Sequence, residues 1–343
     1  MHSPRGPEQR GEPCKAPTLQ LFHAALGAVR PCLLPLRGAG RTPGRAPDHP
    51  LRIANSLTPS RGTVTIAANM DQPLIFFHIS DTHVGSTKDY AHRGYRPYGR
   101  TELLIQDMRR LGIKPDFVMH TGDVCGDKDH HATTAHYELV RPIFSAIDAP
   151  WYYLVGNHDC AESMEATLNY GPHEVFFSSG REKAYKFSSR SHDCFALLSS
   201  IPTKREGIIS KGQLAAFEES LSRSSSPAWV FLHHPPLSMG SPWMDGNMLL
   251  ANGMELHQIL RKRREQVQGV FFGHIHQPWQ FCREGINYFS SPGAIFQFST
   301  LPSDTSSNLE PQSAVGYSVV HYRQGQVQVN ARTVPLSQAS PAL

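Results

Sequence analysis

The sequence predicts an α/β protein in which parallel strands are covered by helices. Two observations carry this. From residue 74 onward, short apolar runs rich in Val, Ile, Phe and Tyr alternate with segments whose apolar residues recur at helical spacing, giving a βαβαβ rhythm. Several of the apolar runs also end in Gly together with Asp, Asn or His, and in open α/β sheets the space beyond the carboxyl ends of the strands is where ligands bind.

Taken in order, "LIFFHIS" (74–80) reads as a strand and "TELLIQDMRRL" (101–111) as a helix. "DFVMHTGD" (116–123) is a strand and turn, "HATTAHYELVRPIFSAI" (131–147) a helix broken near Pro142, and "WYYLVGNHD" (151–159) a strand and turn. "AYKFSS" (184–189) and "CFALLSS" (194–200) read as adjacent antiparallel strands. "KGQLAAFEESLS" is a helix, "AWVFLHHPP" a strand and turn, "GMELHQILRKRRE" a helix, and "VQGVFFGHIH" a strand and turn. The tail "GYSVVHYRQGQVQVNARTV" alternates on both sides of Gln324-Gly325 and reads as a hairpin.

The 343 residues suffice for one large domain or two small ones, and 39% hydrophobic with 18% charged residues suits a globular chain with a substantial core. No run approaches the roughly 18 apolar residues of a membrane span; the best candidate, "LFHAALGAVRPCLLPLRGAG", is broken by Arg30 and Pro31. Residues 1–69 hold nine basic and three acidic residues, whereas 70–343 hold 24 and 26, a net −2, so the body is not a basic nucleic-acid surface. Ten of the 27 prolines also fall in 1–69, which reads as a disordered Arg/Pro/Gly-rich extension, a targeting leader, or translation from a start upstream of Met70. The domain proper is expected over 70–343. Six scattered cysteines without a CxxC suggest a reduced, cytoplasmic setting.

The polar residues at the strand ends form one set. Asp81 and His83 follow the first strand, and if extended geometry persists they share a face. Asp123 follows the second; Asn157, His158 and Asp159 follow the third; later strands end in His233-His234 and in His274 and His276. Gly122, Gly156 and Gly273 stand where the backbone is expected to turn sharply. Two divalent cations ~3.5–4 Å apart need a carboxylate that bridges them, together with imidazole and oxygen ligands. Asp123 is the natural bridge, a hydroxide shared by the metals would attack phosphorus, and His158 could protonate the departing alkoxide.

The order DxH, GD, GNHD, HH, GHxH resembles the calcineurin-like metallophosphoesterase superfamily. The resemblance implies a four-layer α/β/β/α sandwich, two mixed β-sheets flanked by helices. It implies that Asp81, His83, Asp123 and His276 hold one divalent metal (Fe, Mn or Zn) and that Asp123, Asn157, His233 and His274 hold the other. His158 would be the leaving-group acid, with Asp159 orienting His158 or the turn. "HHPPLSMGSPWMDG" (233–246) and "INYFSSPGAIFQFSTLP" (286–302) resemble the bacterial class III cyclic-nucleotide phosphodiesterases. The expected substrate is therefore 3′,5′-cyclic AMP or a similar small phosphodiester, with a phosphomonoesterase or nucleotide pyrophosphatase as the alternative and a non-catalytic scaffold last. No nucleic-acid or membrane partner is expected, and a homodimer is left open. Met239, Trp243, Met244 and Phe296 would either wall the leaving-group pocket or only pack the loop.

Other residues read more plainly. His234 is expected to be structural rather than a ligand, and His78 a packed core histidine. His130, His131 and His136 fall on a helix expected to be exposed, "RKRRE" (261–265) on a solvated face, and Cys125 and Cys160 beside the site as bystanders open to oxidation.

Overall fold

A computed structural model describes residues 72–127, 132–202, 204–310 and 314–334. These all fall within one compact unit, Ser60–Leu343. The expected character of residues 1–69, and that of His130 and His131, lie outside the described residues.

The first strand, β1 (Leu74–Ile79), shows how the layers arise. Its side chains alternate between two faces, and both faces are buried. Phe77 and Ile79 join a core with α1 (Pro97–Arg110) and α2 (Thr134–Phe144), whereas Leu74 and Phe76 face a second sheet. β2 (Phe117–His120) and β3 (Trp151–Tyr153) extend β1 in parallel. The hairpin β11 (Val315–Arg323) and β12 (Gln326–Val334) completes a mixed sheet of order β12-β11-β1-β2-β3. Its turn, Gln324-Gly325, carries two left-handed residues and closes the hairpin that the sequence predicts.

The second sheet has seven strands. β4 (Glu174–Ser179), β5 (Glu182–Ser189) and β6 (His192–Ala196) form an antiparallel meander; β7 (Ala228–Phe231), β8 (Val267–Phe272) and β10 (Ile286–Ser290) run parallel to β6; and β9 (Gln280–Arg283) closes the edge. Phe76 meets Trp229, Phe231 and Phe271 across the gap, with ring centroids 5.3–5.8 Å apart. Beneath this sheet, α4 (Lys211–Arg223) and α6 (Gly253–Lys262) bury Leu214, Phe217, Leu221, Leu256 and Leu260. The result is the expected four-layer sandwich of helices, sheet, sheet and helices.

The differences are local. Pro142 lies inside α2, which runs unbroken to Phe144, so its missing N–H costs the helix one internal bond without splitting it. α1 begins earlier than expected because Pro97 sits at its start, where no N–H is needed. The sequence reading omitted β4, β9, β10, α3 (Ala161–Thr167) and α5 (Pro242–Asn247). His136 is not exposed: it is buried in the first turn of α2, where Nδ1 accepts from the Thr133 N–H.

Candidate metal centre

The strand ends do meet, although not by extended geometry. Asp81 and His83 both adopt left-handed φ, 61° and 42°. Their turn runs alongside the one after β2 through Asp81 N–H to Gly122 O (3.0 Å), His83 N–H to Asp123 O (3.0 Å) and Val84 N–H to Val124 O (3.1 Å). Paired turns, not strand alternation, bring the two side chains together. Asp123, His274 and His276 are left-handed as well, so five of the ten described non-glycine residues with positive φ belong to the expected ligand set. Backbone strain of this kind persists only where its surroundings enforce it, and it gathers at functional sites.

The glycines make room. Gly122 is itself left-handed (φ 104°), as a sharp turn requires. Gly156 serves close approach instead: a Cβ there would lie 2.1 Å from Asp123 Oδ1 and 2.2 Å from Asp123 N. Gly273 likewise leaves space for Ser80 and Asp81 Oδ2, which differs from the sharp turn expected at these two positions.

Within the pocket Asp123 lies between the two groups of imidazoles. Its Oδ2 is 3.7 Å from His83 Nε2 and 3.3 Å from His233 Nε2, while Oδ1 accepts from the His158 N–H at 2.9 Å. His233 gives its Nδ1 proton to Thr121 O (2.7 Å), which leaves Nε2 facing Asp123 Oδ2 and, at 3.3 Å, Asn157 Oδ1. His276 similarly meets Phe296 O through Nδ1 (3.3 Å), which turns Nε2 toward His83 Nε2 (3.2 Å) and Asp81 Oδ1 (3.5 Å). Asp81 Oδ2 is held by the His274 N–H at 3.0 Å. Asp81 Oδ1 and His274 Nε2 are buried without a hydrogen-bond partner.

Burial lowers His83 and His274 well below the usual imidazole range and His276 to about 3, so these rings are neutral donors. Burial alone would raise Asp123, but the imidazoles facing it, His233 first, outweigh burial and hold the carboxyl well below its usual range; the same pairing with Asp123, against burial, raises His233 to about 9. Burial, eased by His233, raises Asp81 to about 7. Converging lone pairs and the orphaned Asp81 Oδ1 and His274 Nε2 around a central carboxylate are what a bound cation satisfies. The set of imidazoles, carboxylates and an amide oxygen suits Zn, Fe or Mn chemistry. Ligand atoms of Asp81, His83 and His276 lie within 4.8 Å of one another, as do those of Asp81, Asp123 and His233.

Other residues support the site: Asp159 is expected from the sequence to orient His158 or the turn, whereas Tyr137 and His120 carry no signal there. Asp159 accepts from the N–H groups of Val124 (3.1 Å), Cys125 (3.0 Å) and Gly156 (2.9 Å) and from the Tyr137 hydroxyl (3.0 Å). It therefore ties the second and third turns together. His120 takes the Gly122 N–H on Nδ1 (3.2 Å) and donates from Nε2 to Thr82 Oγ1 (3.0 Å), whose proton goes to Val124 O (2.7 Å). His234 is buried and meets Ser199 Oγ at 2.9 Å through Nδ1, as suits a structural residue, although its ring also lies 4.5 Å from that of His274. His78 is a core histidine paired with Thr121 Oγ1 (2.9 Å). Met239 and Met244 are buried in the core beneath the second sheet, which agrees with packing, whereas Phe296 stacks on His276 at 4.2 Å. Cys125 is buried with its thiol pushed well up by burial, which disfavours oxidation, while Cys160 is partly exposed beside Glu162. Residues 261–265 are exposed, as expected.

The chain belongs to the calcineurin-like phosphoesterases, whose family pattern matches residues 74–278. It is 31% identical over 247 residues to a 3′,5′-cyclic-nucleotide phosphodiesterase of Nostoc sp., spanning 71% of this chain and 86% of that protein. It is 25% identical over 228 residues to the 3′,5′-cyclic adenosine monophosphate phosphodiesterase CpdA of Vibrio vulnificus, spanning 66% and 78%. Its fold is similar to that of a dimetal phosphatase from Danio rerio (TM-score 0.56, 16% identity, 77% of this chain and 98% of that one). The chain is thus a metal-dependent phosphoric ester hydrolase of a family that binds two divalent metals. Among the described residues no helix is long and apolar enough to cross a membrane.

Proposed function

We propose that this protein hydrolyses a small phosphodiester, 3′,5′-cyclic AMP or a close analogue. The observation that carries the reading is the position of Asp123 between His83 and His233, beside the orphaned Asp81 Oδ1 and His274 Nε2. Asp81, His83, Asp123 and His276 would hold one cation, and Asp123, Asn157, His233 and His274 the other. Two such cations supply Lewis acidity that activates water and neutralises charge on phosphoryl oxygens. Hydrolysis puts the hydroxyl of water on phosphorus and breaks the P–O3′ bond, and the departing oxygen needs a proton. His158 is half-buried, its N–H is fixed by Asp123 Oδ1, and its ring stands edge-on to His83 at 5.0 Å, which supports the reading that its imidazole gives that proton. The names of the Nostoc and Vibrio relatives support the cyclic nucleotide. The four described cysteines are free, in keeping with a cytoplasmic setting.

The test is a substrate panel on purified protein loaded with Mn²⁺ or Fe²⁺. Cyclic AMP and bis(p-nitrophenyl) phosphate should be hydrolysed to monoesters. Protein that leaves both diesters intact while cleaving p-nitrophenyl phosphate is a phosphomonoesterase, and the proposal fails.

A further inference from the structure

Between β1 and α1 the chain makes a two-residue hairpin. His92 and Tyr95 exchange backbone hydrogen bonds (2.8 and 2.9 Å), and the central residues Arg93 and Gly94 have φ of 53° and 87°. That is the turn for which Asn-Gly or Gly-Gly is the usual choice, and an arginine at its first centre sits in a backbone conformation L-residues seldom adopt. The hairpin is fixed against the site. The His92 ring lies parallel to that of His83, 5.8 Å away with 2° between the planes, and stacks on Phe296 at 5.8 Å. Phe296 in turn stacks on His276. Arg100 anchors the other side through Tyr95, 4.0 Å from the ring, and through the Ile295 carbonyl. The Arg93 guanidinium lies 5.6 Å from the Phe296 ring, and Arg93 forms no ion pair among the described residues. Its neighbours Lys88 and Arg96 are engaged, by Tyr98 and by Asp89 respectively.

Two half-buried histidines therefore border His83, one edge-on and one face to face, and only His158 has a role so far. We propose that the His92–Tyr95 hairpin is the anion-reading wall of the site: Arg93 binds a non-bridging oxygen of the substrate phosphoryl group, and His92 hydrogen-bonds the ester substituent lying on that flank. The proposal rests on the phosphodiesterase reading and names how that site selects its substrate. A cation costs the turn a better-suited residue and leaves Arg93 over an aromatic face rather than on a carboxylate, which is an arrangement that makes sense when a phosphate completes it.

The decisive variant is Arg93→Gly, because glycine keeps or relaxes the left-handed turn while removing the charge. On the metal-loaded full chain, inorganic phosphate binding is measured by calorimetry, and KM is measured with bis(p-nitrophenyl) phosphate. Arg93→Gly should weaken phosphate binding and raise the diester KM about tenfold, the loss of one charge-assisted hydrogen bond, with two metals retained. Arg93→Lys should recover part of the loss, and His92→Gln should raise the diester KM while leaving phosphate binding near wild type. Unchanged phosphate binding in Arg93→Gly, or no phosphate binding by wild type, overturns the proposal. If wild type cleaves no diester but Arg93→Gly still loses phosphate, the substrate reading falls and the hairpin's role stands.

Discussion

Replacing Gly156 by alanine adds one carbon, and the structure says where that carbon must go. It would lie 2.2 Å from the Asp123 backbone nitrogen and 2.1 Å from Asp123 Oδ1. Ordinary contact begins near 3.4 Å, so one of the two turns must retreat by about 1.2 Å. The φ of Gly156 lies outside the left-handed region, so alanine meets no conformational penalty and the whole effect is steric. The retreating group is the carboxylate set between His83 and His233, and it carries the His158 N–H with it. Overpacking of this kind costs about 1–3 kcal/mol, and a misplacement of about 1 Å in a catalytic group costs about 10²-fold in rate. We expect Gly156→Ala to retain fewer than two metals per chain by elemental analysis. It should also lose about 10²-fold in kcat/KM on bis(p-nitrophenyl) phosphate and about 2 kcal/mol in urea denaturation. Gly246→Ala, in α5 with open space around it, is the matched control and should keep metal and turnover, with stability unchanged or raised by up to about 1 kcal/mol. A Gly156→Ala protein with two metals and wild-type turnover would refute the geometric argument.

Three further outcomes are expected. His158→Ala should lower turnover, most for poor leaving groups, while metal content by elemental analysis stays near two; loss of metal would make His158 a ligand instead. Asp159→Asn turns an amide nitrogen toward backbone N–H donors that now share a buried carboxylate, and should cost about 2–3 kcal/mol in urea denaturation with chelator present. His78 is held at about 3 by burial, against 6.5 when unfolded, so below pH 6.5 only the unfolded chain takes up that proton and stability falls as pH falls toward 3. His78→Gln should therefore flatten the stability difference between pH 8 and pH 5 by about 2 kcal/mol relative to wild type, read from denaturant midpoints under chelator, and an unaltered pH slope would contradict this.

The sequence located the pocket through residue type and order, because Asp, His and Asn at the ends of apolar strands have few other uses in combination. It misjudged how the pocket is built. The period-2 argument reached Asp81 and His83 by a geometry the chain does not use, since both residues leave extended backbone. Gly156 looked like a turn residue and is a spacer, a distinction that depends on Asp123, 33 positions away. Tyr137 and His120 support the site through side chains reaching other turns, and nothing adjacent to them in the chain announces those partners. His136 looked solvent-facing because a helix pattern does not reveal a buried first turn. β4 and β9 escaped notice because edge strands with exposed side chains lack a clear apolar run, and the inner strand β10 because its five residues, INYFS, interrupt their apolar side chains with Asn287. The α1, α2, α4 and α6 helices were legible because each carries a sustained apolar stripe.

The left-handed backbone at Asp81, His83, Asp123, His274 and His276 narrows which mutations these positions can accept. Asp, Asn and His are the side chains that enter this region most readily after glycine, and they are also the ones that donate to hard and borderline ions. A single selective filter thus serves two demands. Swapping aspartate for asparagine at such a position would alter chemistry while sparing shape, whereas valine or isoleucine would fail on both counts at once.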